Sequence, residues 1–325
     1  MTGRSKRARP SKAPWLTVIM PVYRGERWIE ASLESLAHEV DEGVELLVID
    51  SSPDRRTADI VRRFSDRLRL RIEEHSALPS WQSKTNHAAR IAAADHLCWL
   101  HHDDLWLPGR GAAIRRWINE APGAALHLAT SAIIDEHGRQ IGIWRCPFRG
   151  DGEIPSGVLV ERLLVQNFVS APAPVYRKDA WLRAGGLDEQ LWYTGDWDIW
   201  LKLAEHGSVW HHQEMTTAFR VHGSSLTVTG SRNAEDFEHQ MRTVLERHLP
   251  RLSPVAMRRV NRIALASVEM NLALAAASTG RWRGLLLAVL RVLVLGPAGI
   301  HSYVRDSRIV DRLVPRLRAR LSGSM

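Results

Sequence analysis

Cysteine is scarce: Cys98 and Cys146 are the only two in 325 residues, and neither stands in a C-x-x-C or Cys/His spacing. That argues against a disulfide framework and a structural zinc site, and it makes a reducing, cytoplasmic setting the expectation. Two phosphate-binding loops are also missing. No G-x-x-x-x-G-K-[ST] is present and no G-x-G-x-x-G follows the first strand-like segment, so P-loop enzymes and dinucleotide dehydrogenases are set aside. No apolar run reaches the ~20 residues of a spanning helix. The strongest, Leu285 to Leu295, is interrupted by Arg291 and stopped by Gly296-Pro297. The basic first 14 residues have no apolar segment behind them, so no signal peptide is expected. Low-complexity tracts and solenoid repeats are absent too.

What is present is a globular composition, 45% hydrophobic and 25% charged, in a chain long enough for a full core. The net charge of +8 belongs to the ends: residues 1–12 carry +5 and residues 281–325 carry +7, with about −4 between them. Basic ends suit anionic lipid or nucleic acid. Aromatic–basic interleaving and nucleic-acid motifs are lacking, so nucleic acid is not an expected partner.

Along the chain, Trp15–Met20, Val44–Ile49, Leu68–Ile72 and the run from Leu97 read as strands. Trp28–Glu39, Thr57–Ser65 and the Ala-rich Lys84–Ala94 read as helices. Strand and helix alternating in this rhythm imply a parallel, helix-covered α/β sheet. Three polar clusters fall at strand ends: Pro21–Glu26, Asp50–Asp54 and His101-His102-Asp103-Asp104. Strand ends of a parallel sheet share one edge, where ligands of such sheets bind. The adjacent carboxylates Asp103 and Asp104 fit a divalent cation with its phosphates, or alternatively a cap on the next helix.

Together these segments resemble the inverting family 2 glycosyltransferases of the GT-A fold. Pro21-Val22-Tyr23-Arg24-Gly25-Glu26 matches the family's P-V-Y-N-x-E, and Val48–Asp54 its V-D-D-G-S-x-D. Asn86 matches an Asn on the helix that precedes the D-x-D-D, which falls on His101–Asp104. Gly185–Glu189 matches G-G-x-D-E, Gly195–Ile199 matches E-D-x-D-L, and Arg220–Ser225 matches R-x-H-x-x-S. The ordered matches span residues 15 to 226. This chain departs from the pattern at Ile49, His101 and Gly195.

The resemblance implies a Rossmann-like, mixed but mostly parallel sheet in residues 14–232, with the nucleotide half running to about 110 and the acceptor half after it. A basic disordered tail (1–13) would precede this domain and a helical extension (233–325) would follow it. It implies transfer of a sugar from a nucleotide-diphosphate donor to an acceptor hydroxyl on a glycan, a lipid-linked carrier or a small molecule. A divalent metal, Mn²⁺ or Mg²⁺, would assist. The donor-binding residues it implies are Pro21, Val22, Tyr23, Glu26, Asp50, Lys84, Asn86, His101, His102 and Asp103. Asp103 and His222 are its candidate metal ligands, and Asp196 its general base. Asp196 could also be the N-cap of its helix, Lys84 a solvated residue at an exposed helix start, and His101, His102 and His222 ordinary polar residues. Trp192 and Trp197 are candidates for acceptor contact, whereas Trp200 reads as core. A non-catalytic nucleotide-sugar-binding or scaffold protein of the same fold is the alternative, motivated by His101 and Gly195.

Beyond Ser231, helices are expected at Ala234–His248, Ala256–Ala277 and Trp282–Leu295. In the last helix Ile309, Leu313, Leu317 and Leu321 share a face, with arginines elsewhere. Such a basic amphipathic helix suits the membrane interface, peripheral on the inner face; a hairpin packed on the domain and a homodimer contact are the other readings.

Overall fold

Val44–Asp50 and Leu16–Val22 are continuous runs of buried residues, the mark of strands covered on both faces. In the computed structural model, which describes residues 13–225, 233–277 and 280–321, they form β2 and β1. The basic segment 1–12 lies outside the described residues. β3 (Arg69–Glu74), β2, β1 and β4 (His96–Trp99) are parallel neighbours. The helices between these strands are α1 (Ile29–Ala37), α2 (Arg56–Arg62) and α3 (Trp81–Ile91).

The sheet then becomes mixed. β9 (Val175–Arg177) runs antiparallel between β4 and β6 (Leu126–Ile134), and β10 (Val209–Arg220) lies parallel to β6 on the far side. Three short antiparallel strands, β5 (Leu105–Trp106), β7 (Gln140–Trp144) and β8 (Gly152–Ile154), complete it.

Alternate residues of β1 feed two cores. Leu16, Val18 and Met20 pack with Leu33 and Leu36 of α1 and with Ile114 and Trp117 of α4 (Arg110–Glu120). Ile19 faces the other side, with Ala88 and Ala89 of α3, Trp181 of α6 (Lys178–Arg183) and Trp200 of α7 (Gly195–Leu203). Trp200 is thus core, as its apolar neighbours suggested.

α5 (Ser156–Val165) and two C-terminal helices join this second core: α5, α8 (Ala234–His248) and α9 (Pro254–Ala277) bring Leu163, Val244 and Val268 to it. α10 (Arg283–Leu293) and α11 (Gly296–Ser307) pack more loosely around Val165, Ile263, Ala273 and Tyr303. α12 (Ile309–Leu321) returns to the sheet, with Pro315 against Gly142 of β7. The side chains of Arg316, Leu317, Arg320 and Leu321, on which the amphipathic reading of this helix relied, lie outside the described residues.

Candidate active site

In-register pairing of Val22 with Asp50 brings the ends of β1 and β2 to one level. α3 starts at Trp81, three residues before the expected Lys84, because Ser80 caps it by accepting from the Ser83 amide. The earlier start moves Lys84 off the helix end and into the protein. Its Nζ donates to the Val22 carbonyl (2.8 Å) and to Ser51 Oγ (2.7 Å). Burial pulls the ammonium down to about 8, against the opposing charge of Asp50. Lys84 is therefore a desolvated cation rather than a solvated one. Tyr23 lies beside it, its ring centroid 5.7 Å from Nζ, and keeps a free face at 51% exposure. Asp50 accepts from the Ser52 amide (2.8 Å).

Past β4, Leu100 still pairs with β1 through the Ile19 carbonyl, and the chain turns at His101–Asp104. The two carboxylates diverge. Asp103 Oδ2 lies 3.0 Å from His222 Nε2, and His222 Nδ1 meets Ser224 Oγ at 2.9 Å. Burial pushes the Asp103 carboxyl up, but the His222 hydrogen bond and the positive fields of His102 and His101 outweigh it and hold the group below the usual carboxylate range. Asp104 turns inward and accepts from the Arg220 amide (2.9 Å), tying the start of β5 to the end of β10. Neither carboxylate caps a helix, since α4 begins six residues past Asp104 with Gly109 as its N-cap. Arg220 donates through Nε to the Asp103 carbonyl (2.7 Å), fixing the turn from the other side. His102 packs against Gly25, where a Cβ would stand 3.1 Å from the imidazole; glycine keeps the two loops close. His101 lies edge-on to Trp81 and 3.6 Å from Asp104, and its pKa is raised because these carboxylates outweigh its burial.

Asp196 sits in the first turn of α7, behind Thr194, which occupies the N-cap position that Asp196 was a candidate for. Its Oδ1 accepts from the Trp197 amide (2.8 Å) and its Oδ2 from Asn167 Nδ2 (2.9 Å). Burial dominates over these bonds and lifts the carboxyl to about 6. Asp198 points the other way, into His248 (2.8 Å), Arg247 (2.9 Å) and Lys202 (3.0 Å). It ties α7 to α8.

One cleft of about 660 Å³ joins these parts, lined by Pro21, Tyr23, Lys84, His101, His102, Asp103, Trp192, Asp196, Trp197 and His222 among others. Trp192 anchors its indole on Asp236 (2.7 Å). Trp197 is 3% exposed and donates to the Leu163 carbonyl (2.8 Å), so it forms wall rather than rim. Val22, Glu26, Asp50 and Asn86 do not line the cleft. Val22 supplies its carbonyl to Lys84, and Glu26 lies 3.6 Å from Arg56. Asn86 brackets Leu187, accepting from its amide and donating to its carbonyl (both 2.9 Å). It stands where a Cβ on Gly186 (φ +70°) would come within 2.5 Å of Asn86 Oδ1, so the Gly-Gly turn is shaped around this side chain.

The cleft is also lined by residues that sequence reasoning did not place in the site: Trp81, Gln166, Asn167, Asn271 and Arg312. Arg312 and Asn271 come from the C-terminal helices, and Arg312 donates to Asn271 Oδ1 (2.8 Å). No motif marks them.

Among the described residues, no three His, Cys, Asp or Glu side chains converge to hold a metal. Asp103 and His222 nevertheless offer one oxygen and one nitrogen, at present satisfying each other, and this pair fits a Mn²⁺- or Mg²⁺-type ion that completes its shell from phosphates and water.

Residues 17–140 match the family described as Glycosyl transferase family 2. An uncharacterized glycosyltransferase of Rickettsia typhi is 23% identical over 230 residues, 70% of each chain. Among solved structures, S. aureus TarS in complex with UDP-GlcNAc superposes with a TM-score of 0.66 at 16% identity, covering 95% of this chain and 92% of that one. The mannosyltransferase PcManGT of Pyrobaculum calidifontis, in complex with GDP-Man and Mn²⁺, gives 0.54 at 18% identity, covering 95% and 88%. Both likenesses concern the fold.

Proposed function

The chain is a glycosyltransferase with a family 2 domain on a GT-A fold, and from that premise we propose that it transfers a sugar, with inversion, from a nucleotide-diphosphate donor to an acceptor hydroxyl, with Asp196 as general base. The observation that carries this reading is the shared cleft, with a depressed carboxylate paired to an imidazole at one end and a raised carboxylate at the other. Tyr23 offers the base a face to stack on. Lys84 places a desolvated positive charge at the end of β1, where the diphosphate of such a donor would lie. Asp103 and His222 would hold the divalent cation, which supplies neutralisation of the charge on the departing diphosphate. Across the cleft, Asp196 takes the proton of the acceptor hydroxyl as that oxygen attacks the anomeric carbon from the face opposite the diphosphate. A carboxylate titrating near 6 is ionised at neutral pH, yet basic enough to accept that proton in the transition state.

The relatives' ligands suggest a UDP- or GDP-linked donor. The acceptor hydroxyl sits on a glycan, a lipid-linked carrier or a small molecule. Thermal unfolding with UDP- and GDP-sugars, with and without Mn²⁺, tests the reading, because a ligand that binds only the folded state raises the melting temperature. A metal-dependent rise with one donor, and release of diphosphate from it, is expected. No shift with any of them would overturn the donor assignment.

A further inference from the structure

α10 and the turn after it carry an apolar surface that the fold leaves uncovered. Trp282, Leu286, Leu287, Leu290, Leu293 and Val294 are each about half to four-fifths exposed, from Leu290 at 47% to Val294 at 83%. At 100° per residue they occupy one arc of the helix, while Ala288 and Val292 on the opposite arc are buried against the neighbouring helices. Two exposed arginines, Arg281 and Arg283, stand at the start of this surface, while Arg291 pairs with Glu269 (3.1 Å) and Arg305 with Asp306 (2.6 Å).

From this we infer that α10 is an in-plane anchor that docks the protein on an anionic lipid surface. Length decides between spanning and lying flat. Eleven residues of helix make about 16 Å, half of a ~30 Å hydrocarbon layer, and the following helix turns away by 118°. No single helix among the described residues is long and apolar enough to cross a membrane. An exposed apolar arc ended by a tryptophan and arginines matches the interface, where the leucines enter the acyl boundary and the arginines meet phosphate headgroups. A second copy of the chain fits less well. A two-fold contact sets the patch against itself, and Arg281 and Arg283 have no ion-pair partner among the described residues to offset their charge there.

This assigns the membrane role to α10 rather than to the last helix. α12 is turned instead toward the protein, with Pro315 on β7 and Arg312 in the cleft. The anchor is also near the site. α10 packs Ala288 into the cluster with Ala273 of α9, and Asn271 of that same helix lines the acceptor side of the cleft. Docking through α10 therefore sets the acceptor wall one helix away from the bilayer surface.

Co-sedimentation of the full chain with phosphatidylcholine vesicles, with and without phosphatidylglycerol, tests the inference. Binding to the anionic vesicles is expected, weakened by salt. The triple variant Leu286→Ser/Leu290→Ser/Leu293→Ser should lower the partition coefficient about tenfold or more. The pair Arg281→Gln/Arg283→Gln, which leaves the apolar arc intact, should lower it by a smaller factor and reduce the salt dependence. Unchanged circular dichroism and an unchanged donor-induced thermal shift would show that both variants still fold. Equal binding of the triple variant and the parent overturns the inference, as does equal binding to neutral and anionic vesicles. A concentration-dependent dimer that the triple variant abolishes, with no vesicle binding by the parent, overturns it in favour of a second copy.

Discussion

At the turn after β4 and at the start of α7 the chain presents two carboxylates within three residues, and in each place one is left to the cleft and the other is used to build it. Asp103 and Asp196 line the site; Asp104 also borders the cleft but holds the Arg220 amide, and Asp198 holds α8. Their charges are arranged in opposite ways. Asp103 lies among histidines and is depressed, whereas Asp196 has an amide side chain and one backbone amide against its burial and is lifted to about 6. Of the two inward carboxylates, burial lifts Asp104 to about 6, while His248, Lys202 and Arg247 overcome the burial of Asp198 and bring it down to about 2. Burial is common to all four; at Asp103 and Asp198 the cationic company outweighs it, whereas at Asp104 the like charge of Asp103 adds to it and at Asp196 the hydrogen bonds fall short of it. A permanently ionised group suits a phosphate-bound cation, and a group near neutrality suits proton transfer, so the difference matches the two proposed roles.

Replacing the proposed base separates the two cleft carboxylates most sharply. Asp196→Asn keeps the acceptor for the Trp197 amide and should lower kcat by about 10³-fold, within the range expected of a general base. The donor-induced thermal shift should be unchanged. Turnover within tenfold of the parent would remove Asp196 from the role.

The opposite pattern is expected at the other end. Asp103→Asn should weaken the Mn²⁺-dependent donor shift and lower activity about 10²-fold, in line with the loss of an oxygen donor to a metal. A variant that still binds donor identically with and without Mn²⁺ would show that the two carboxylates differ in something other than metal contact.

Asp198→Asn should leave chemistry nearly alone and cost stability. A folded pKa of about 2 against the ordinary 3.8 corresponds to about 2 kcal/mol. Because the folded value is depressed, that stabilisation is present above about pH 4 and is lost as pH falls from there through 2. Urea unfolding should therefore separate variant and parent at pH 7, narrow the gap as pH falls below about 4, and bring them together only below about pH 2.

Much of this was legible in the sequence because both faces of β1, β2 and β4 are buried, so their runs stand out and end abruptly in polar clusters. The short antiparallel strands β5, β8 and β9 were not legible. β5 has two residues and β8 and β9 three each, too short for any periodicity. The sequence leaves Lys84 open between a donor-binding cation and a solvated one, since only the Ser80 cap, which lengthens α3 by a turn at its start, carries it inside. Asp103 and Asp104 fit one cation or a helix cap in the sequence, and only the long-range partner Arg220 shows what Asp104 holds, as His248 does for Asp198. Asn167 falls in the irregular segment after α5 and belongs to no motif.

That asparagine gives the finest test of the comparison, because among the described residues it is the one side chain that hydrogen-bonds Asp196. Its own amide is oriented by the Val169 N–H, which donates to Asn167 Oδ1 (3.0 Å), so the NH₂ group is presented to Asp196. Asn167→Ala removes a bond that favours the ionised form, and the Asp196 pKa should rise above about 6. The acid limb of kcat should move to higher pH, with kcat at pH 7 falling up to about tenfold and KM for donor unchanged, since a hydrogen bond to a charged group contributes about 1.5–3 kcal/mol at most. Asn167→Asp places a second carboxylate 2.9 Å from the first and should move the limb further in the same direction. A purely structural asparagine would lower activity evenly at all pH values; movement of the limb alone ties the raised carboxylate to proton transfer.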